Sequence, residues 1–333
     1  MARTRRFLQW SAPWALAFLL LQATAVWAQV PDPETLLKAV VRVTATVPPD
    51  SQSSSTLGSE REGTGVVIGG DGLIVTIGYT IMEASSVQVT TGDGRAYPAD
   101  IVAYDHVSGF GLLRAGYGFD APPVRLGDSG ALKEGDTAVV LSRGGGSPAL
   151  PTRVVSRREF AGYWEYMLDR AIFTSPPHPA FNGAALIDGK GRLVGIGSLI
   201  VGEAVPNHAM PGNMFVPVDV LQPILGDLLA YGRRQDPPRP WLGLTLREHN
   251  GRLLIQRVTR NSPAEAAGLR PGDQIMGLSG QRVGTLSEFY RRMWGMGDAG
   301  VAVPLQVIRG PALESVTITS GDRTKHLKLN PTF

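Results

Sequence analysis

Short apolar stretches with many β-branched residues recur along the first two thirds of the chain, and turn-forming residues separate them. A stretch begins about every ten positions, as in antiparallel β-barrels and sandwiches. The sequence therefore predicts a mostly β protein. The clearest stretches are Val40–Ala45, Gly65–Ile68, Leu73–Thr76, Val87–Thr90, Ala138–Leu141, Ala185–Ile187, Leu193–Ile196 and Met214–Val218.

The pattern changes near residue 220. Val220–Tyr231 places its leucines and isoleucine on one face and predicts a helix. A polar, proline-rich stretch follows at 232–240 and has the composition of a linker. Beyond it, strand patterns alternate with two capped helix patterns, one of them starting at Ser262. We therefore predict a β domain over 38–231, the linker, and a compact α+β module over 241–330.

The first 28 residues have the form of a secretory signal peptide. Three arginines precede an apolar run over Ala15–Leu21, and small residues end the segment at Ala28. We expect cleavage after Ala28, a short N-terminal segment at 29–37, and a periplasmic or secreted protein. The alternative is an uncleaved membrane anchor, but the run is shorter than the ~20 residues that span a bilayer.

Charge and composition exclude several classes of function. The three arginines of residues 1–28 account for the whole formal net charge of +3, so basicity predicts no nucleic-acid partner and no membrane-surface partner. The chain has no cysteine, which excludes disulfides, a thiol nucleophile and thiolate metal ligands. No spacing of His, Asp and Glu indicates a metal site, and no motif indicates a cofactor.

Several motifs in a fixed order carry a family resemblance. Gly63–Ile68 and Asp71–Thr76 form a hairpin pattern, Leu126–Ser129 follows, and Ser262–Ala264 and Pro271–Ile275 lie in the terminal module. Together they resemble the HtrA (DegP-type) periplasmic trypsin-like serine proteases with one PDZ domain. The resemblance covers about residues 38 to 330. It implies a trypsin-like double β-barrel followed by a C-terminal α+β PDZ domain.

The resemblance also locates the three positions of the catalytic triad. Tyr79 stands where the family has the histidine, Gly109 where it has the aspartate, and Asn182 where it has the serine. A one-residue slip of the last motif would place Gly183 at the serine position instead. The Gly-Asn that precedes the serine in the family is Ala180-Phe181 here, so the oxyanion loop is also altered.

These substitutions predict a pseudoprotease, because an amide, a phenol with a pKa near 10 and a glycine cannot perform the triad's roles. The alternative is an active serine endopeptidase with a non-standard constellation. Its candidates are His178, the histidine closest in sequence to Asn182, and Ser175, three positions before it. Asp105, His106 and His208 are further polar residues, which we interpret as solvated or locally bonded.

The PDZ resemblance implies binding of an extended C-terminal peptide, whose carboxylate is held by backbone N–H groups. The loop that would bind the carboxylate is Trp241–Leu244, with Leu242, Gly243 and Leu244 as candidate binding residues. The facing helix would add Phe289, Tyr290 and Met293, or these side chains simply form the core of the module. The expected partners are C-terminal peptides or unfolded polypeptides, and in addition a second copy of the chain or an active relative.

Overall fold

The computed structural model describes residues 33–144, 146–327 and 329, which form two closed barrels and a separate sheet. The first barrel has the strand order β1-β2-β3-β6-β5-β4. Gly65 lets neighbouring strands close tightly, because a Cβ there would lie 2.6 Å from a methyl carbon of Ile74. The strands are β1 (Val40–Thr46), β2 (Glu60–Val67), β3 (Leu73–Ile77), β4 (Ser86–Thr90), β5 (Ala96–Tyr104) and β6 (Phe110–Ala115).

The second barrel has the order β10-β11-β12-β9-β8-β7. Its β8–β9 hairpin is much longer than the barrel needs. Within it, residues 158–162 pair with 166–171, and neither segment pairs with β7 or β12. The outer half of this hairpin therefore projects beyond the barrel. The strands are β7 (Thr137–Leu141), β8 (Ala149–Gly162), β9 (Tyr166–Ser175), β10 (Ala185–Asp188), β11 (Leu193–Val201) and β12 (Gly212–Pro217).

The terminal module is a sheet in the order β13-β14-β15-β17-β18, with β16 paired to β15. Strand β13 lies at the edge of this sheet. The module has a hydrophobic core of its own, separate from that of the barrels. Ser262 caps the first helix of the module through its side chain, as predicted. For the second helix the sequence offers Thr285 or Ser287 as the cap, and the structure shows Thr285. The elements are β13 (Leu244–His249), β14 (Arg252–Val258), α4 (Pro263–Ala266), β15 (Gln274–Leu278), β16 (Gln281–Arg282), α5 (Leu286–Trp294), β17 (Ala302–Arg309) and β18 (Ala312–Thr319).

In the described part of the chain, four further α-helices connect or flank these units, and their numbers follow chain order with α4 and α5. They are α1 (Pro33–Lys38), α2 (Ser54–Leu57), α3 (Leu225–Tyr231) and α6 (Arg323–His326). Within the ranges that the structure describes, no helix is long and apolar enough to cross a membrane.

The predicted fold class, a double β-barrel followed by a C-terminal α+β module, is confirmed. Two local predictions need correction. The helix expected over Val220–Tyr231 becomes α-helical only at Leu225, because Pro223 falls within it and a 3₁₀ turn occupies Gln222–Ile224. The apolar pattern of Trp241–Leu246 predicts a strand over these residues, but the strand starts only at Leu244, after Gly243 in a left-handed conformation. The predicted signal peptide, residues 1–28, lies outside the described residues.

Candidate functional site

Tyr79 lies on a 3₁₀ turn directly after β3, at the position where the family resemblance places a histidine. Its hydroxyl donates a hydrogen bond to the carbonyl oxygen of Ser198 at 2.7 Å. Burial raises the pKa of Tyr79 above its ordinary value of 10. The phenol therefore stays protonated at neutral pH and already has an acceptor, so it cannot serve as a general base.

Gly109 precedes β6 and adopts a left-handed conformation with φ of 87°. A Cβ at this position would lie 2.9 Å from the hydroxyl oxygen of Tyr166. That hydroxyl donates to the carbonyl oxygen of Ser108 at 2.7 Å, inside the protein. The Tyr166 phenol thus fills the space that an aspartate side chain at position 109 would need.

Asn182 joins the second barrel to the first. Its side-chain amide donates to the carbonyl oxygen of Glu62 at 2.6 Å, and its own carbonyl accepts from the Thr64 N–H at 2.7 Å. The next residue, Gly183, has φ of 75°, and a Cβ there would lie 2.0 Å from the Thr64 carbonyl oxygen. Position 183 therefore has no room for a side chain. The Asn182 side-chain amide instead bridges the two barrels through its hydrogen bond to Glu62.

The oxyanion hole of a trypsin-like site uses two backbone N–H groups, two residues apart. The family resemblance predicts Ala180 and Asn182 as the corresponding residues here. The Ala180 N–H donates to Nδ1 of His178 at 3.1 Å, and its carbonyl accepts from the Ser142 hydroxyl at 2.6 Å. One of the two expected donors is therefore turned to an internal acceptor.

Ser175 and His178, the candidates for an alternative nucleophile and base, do not face each other. His178 is buried; its Nδ1 accepts from Ala180, which leaves Nε2 to donate to the carbonyl oxygen of Ser147 at 2.9 Å. The Ser175 hydroxyl donates to the carbonyl oxygen of Pro211 at 2.8 Å. Throughout 33–144, 146–327 and 329, we find no histidine ring hydrogen-bonded to a serine or threonine hydroxyl.

Asp105 and His106 lie beside Gly109 but have structural roles. The buried Asp105 carboxylate accepts the Ser108 N–H at 2.9 Å and lies 3.5 Å from the Arg234 guanidinium. Burial, assisted by the positive charge of Arg323, lowers the pKa of His106 to about 4. His106 is therefore neutral at pH 7. His208, the remaining candidate, is exposed in a loop, and its Nδ1 donates to a nearby backbone carbonyl.

A cavity of about 280 Å³ lies where the barrels meet the terminal module. Tyr79, Gly109 and Tyr166 line it from the barrels, and Gly243 and Leu244 line it from the module. The cavity thus connects the predicted triad positions with the loop predicted to bind carboxylates. Among the described residues, no group of three or more His, Cys, Asp and Glu side chains could hold a metal ion.

The predicted carboxylate loop of the module already holds a carboxylate. Glu165, in the turn between β8 and β9, accepts the N–H groups of Leu242 at 3.0 Å, Gly243 at 2.7 Å and Leu244 at 2.8 Å. The Gly243 conformation, with φ of 86°, places these donors on one side of the loop. The structure therefore brings the predicted loop residues together around an acidic group from the second barrel.

The helix residues predicted for the peptide groove occupy a different place. Phe289 and Met293 are fully buried in the hydrophobic core of the module, together with Leu242. Tyr290 is also buried, but its hydroxyl reaches the β8–β9 turn. The direct role of these helix side chains in peptide binding stays a prediction.

Comparisons with known proteins agree with this architecture. A model of the trypsin-like peptidase domain family matches residues 63–196, and a model of the PDZ domain family matches residues 240–319. A probable periplasmic serine endoprotease, DegP-like, from Pseudomonas fluorescens is 28% identical over 285 residues, covering 81% of this chain and 58% of the relative. The chain is thus similar to HtrA/DegP-type proteins, and it contains one region that matches the trypsin-like peptidase domain and one that matches the PDZ domain.

A second curated relative is the serine protease Do-like HtrA of Bacillus subtilis. It is 27% identical over 290 residues, which are 78% of this chain and 63% of the relative. The HtrA-like chain thus spans about three fifths of the length of these two relatives.

Solved structures show the same fold. The structure of the HtrA-type protease AlgW with decapeptide has a TM-score of 0.51 and 20% identity, and the match covers 87% of this chain and 97% of that one. The serine endoprotease from Yersinia pestis has a TM-score of 0.50, also at 20% identity, with 87% of this chain and 96% of that one covered.

The sequence patterns of this HtrA-like chain do not indicate that Glu165 and the nearby Tyr163 contact the terminal module. The strands that present them, β8 and β9, carry mixed polar and apolar residues and produce a weak strand signal. A local clue exists in the aromatic cluster of the turn, where Tyr163, Trp164 and Tyr166 lie within four positions. Such an aromatic turn is unusual for a solvated loop and indicates a packed one.

Proposed function

We propose that this HtrA-like chain is an exported pseudoprotease that binds C-terminal peptides or unfolded polypeptide segments through its PDZ domain. It acts in protein quality control of the cell envelope as an adaptor, a chaperone or a regulator. The observation that carries the proposal is the state of the three triad positions. Tyr79 and Asn182 are bonded to backbone carbonyls, and Gly109 is blocked by Tyr166.

The lack of proteolysis follows from the chemistry of these groups. Asn182 has no nucleophilic atom at neutral pH, and Tyr79 is held in its protonated form by burial. Loss of such a triad costs about six orders of magnitude in kcat. The engaged Ala180 N–H removes part of the remaining transition-state stabilisation as well. An alternative dyad of Ser175 and His178 is unsupported, because both side chains are bonded to backbone groups elsewhere.

Recognition of carboxylates by the PDZ loop has direct geometric support. Its three consecutive N–H groups converge on the Glu165 carboxylate, at distances between 2.7 and 3.0 Å. This is the arrangement by which PDZ domains hold the carboxyl terminus of a peptide. A related fold has also been solved as the HtrA-type protease AlgW with decapeptide. We therefore assign peptide binding to the edge of the module formed by the loop and β13.

Location and partners are part of the same proposal. The predicted signal peptide at residues 1–28, with cleavage after Ala28, favours export to the periplasm or secretion. The Pseudomonas fluorescens relative is described as a probable periplasmic enzyme, which agrees with this location. Besides peptides, the proposed partners are a second copy of the chain or an active HtrA relative.

The proposal is tested by incubating the purified protein, without residues 1–28, with denatured casein. We expect no time-dependent cleavage above buffer, whereas an active HtrA protease under the same conditions degrades the substrate. Contamination is controlled with Asn182→Ala and Ser175→Ala variants purified in parallel. Cleavage by the wild-type protein that one of these substitutions abolishes would contradict the proposal.

A further inference from the structure

The β8–β9 turn enters the PDZ domain in the manner of a peptide ligand. Glu165 has φ of 56°, a left-handed conformation that costs a non-glycine residue about 1–2 kcal/mol. This conformation accompanies a side chain that is directed into the Leu242–Leu244 loop and is almost fully buried. A strained, buried glutamate in a turn is unusual, and the three N–H donors that it contacts offset the cost of its burial.

The backbone of the turn also contacts the edge strand of the module's sheet. The Leu246 N–H on edge strand β13 donates to the carbonyl oxygen of Tyr163 at 2.9 Å. Two residues earlier on β13, the Leu244 N–H donates to the side-chain carboxylate of Glu165, which lies two residues later in the turn. The turn is therefore anchored along the free edge of β13, where a peptide added to the sheet would lie, with the carboxylate at the loop end of that edge.

Helix α5 holds the same turn from the other side. The Tyr290 hydroxyl donates to the carbonyl oxygen of Gly162 at 2.8 Å and accepts the Glu165 N–H at 3.1 Å. Arg291 forms ion pairs with Glu159 at 2.5 Å and with Asp169 at 2.7 Å, lower on the hairpin. The ion pairs are half-exposed and add little, so the buried bonds of Tyr290 and the loop determine the contact.

We propose that the β8–β9 hairpin is an internal ligand of the PDZ domain, with the Glu165 carboxylate in the place of a peptide's C-terminal carboxylate. The proposal rests on the proposed function, in which this domain binds peptides. An external peptide with a free carboxyl terminus must displace the hairpin, because both need the N–H groups of Leu242–Leu244. Peptide binding is therefore autoinhibited in the isolated chain.

Displacement also changes the barrel side of the contact. The hairpin lines one side of the cavity between the domains with Tyr163, Trp164 and Tyr166, and Tyr79 and Gly109 line it as well. When the turn leaves the PDZ groove, this cavity loses part of its wall. Peptide capture by the module is thereby coupled to exposure of the cleft between the domains, through one rigid hairpin.

Glu165→Gln tests the internal ligand, because it keeps the side chain's size but places an NH₂ group against N–H donors. The matched control is Glu159→Gln, which removes a charge from the same hairpin at a half-exposed ion pair. Fluorescent peptides ending in an apolar residue, as free acid and as amide, are titrated against the wild type and both variants. If the closed form makes up about 90% or more of the wild type, the free acid binds Glu165→Gln at least about tenfold tighter. The control stays within about threefold of the wild type.

The outcomes separate the two proposals. If the wild type and Glu165→Gln bind the free-acid peptide with equal affinity, and both bind the amide peptide more weakly, the internal ligand is overturned while peptide binding by the loop stands. Equal affinity for acid and amide in the Glu165→Gln variant would instead overturn the proposed function of the PDZ loop.

Hydrogen exchange provides a measurement that needs no peptide. The amides of Leu242, Gly243 and Leu244 are protected by Glu165 in the wild type and exchange at least about tenfold faster in Glu165→Gln. The Glu159→Gln control retains the wild-type rates. Unchanged exchange of these three amides in Glu165→Gln would contradict the internal ligand, whatever the peptide titration shows.

Discussion

Gly109→Ala tests whether the aspartate position of the triad has been closed by the fold. The new Cβ would meet the Tyr166 hydroxyl oxygen at 2.9 Å, closer than such contacts occur, so the phenol must move away from Ser108. The left-handed φ of 87° costs alanine about 1–2 kcal/mol. Disturbing the Tyr166–Ser108 hydrogen bond adds about 1 kcal/mol and the crowding about 1 kcal/mol more.

Gly94→Ala is the matched control, because Gly94 has the same φ of 87° and nothing lies within 4 Å of a Cβ there. We expect Gly109→Ala to lower the free energy of unfolding by about 3–4 kcal/mol and Gly94→Ala by about 1–2 kcal/mol. In a Tyr166→Phe background the extra cost at position 109 falls, since the nearest ring carbon lies at 3.3 Å. That decrease is the coupling energy of a double-mutant cycle.

Urea unfolding, followed by tryptophan fluorescence, measures these differences for the wild type, Gly94→Ala, Gly109→Ala, Tyr166→Phe and the Gly109→Ala/Tyr166→Phe double variant. The comparison is valid where the slopes of the transitions agree. Equal losses of stability for Gly109→Ala and Gly94→Ala would refute the argument that Tyr166 occupies the aspartate's place. An unchanged cost of Gly109→Ala in the Tyr166→Phe background would refute it independently.

Three further predictions follow from the same contacts. The triple substitution Tyr79→His, Gly109→Asp and Asn182→Ser does not restore full activity, because the oxyanion loop keeps its internal hydrogen bonds. We expect its kcat/KM for a fluorogenic peptide to stay below about 1% of that of an active relative; a value close to the relative's would show that only the triad was lost. Burial lowers the pKa of His106 to about 4 in the folded protein, whereas a histidine in the unfolded chain titrates near 6.5. The unfolded state therefore binds more protons, and stability falls by about 2 kcal/mol from pH 7 to pH 5; His106→Gln, measured by urea unfolding at both pH values, lacks this loss, and an equal loss in that variant would contradict the assignment. Gly243→Ala abolishes the preference for acid over amide peptides, because its Cβ would lie 2.3 Å from Cβ of Ser262 and displace the loop; a retained preference in the peptide titration would contradict this.

The barrels and the module could be predicted from the sequence because their information is local. Period-two strands such as β1 and β4 alternate buried and exposed positions, and the caps Ser262 and Thr285 mark helix starts. The assignment of the triad positions comes from the motif frame around Asn182 and stays a prediction. What the triad residues bond to could not be predicted, since those partners come from other strands.

The contact between hairpin and module could not be predicted for the same physical reason. Glu165 and its three donors are separated by 77 to 79 residues, and no local pattern reports such a pairing. The long strand β8 carries Arg157, Arg158 and Glu159 in succession, so its propensity for strand is low and packing in the folded protein decides its conformation. Gly109 likewise predicts a turn, but Tyr166 occupies the space beside it through a tertiary contact that no local pattern reports.

The central claim is that this HtrA-like chain contains no activated serine, and labelling with a fluorophosphonate tests it most directly. Intact-mass spectrometry of the folded protein after incubation with the probe should show the unmodified mass, while an active HtrA protease in a parallel reaction gains one adduct per chain. A single stoichiometric adduct that forms on the folded protein, is lost after prior denaturation, and maps to a serine such as Ser142 or Ser175 would contradict the claim.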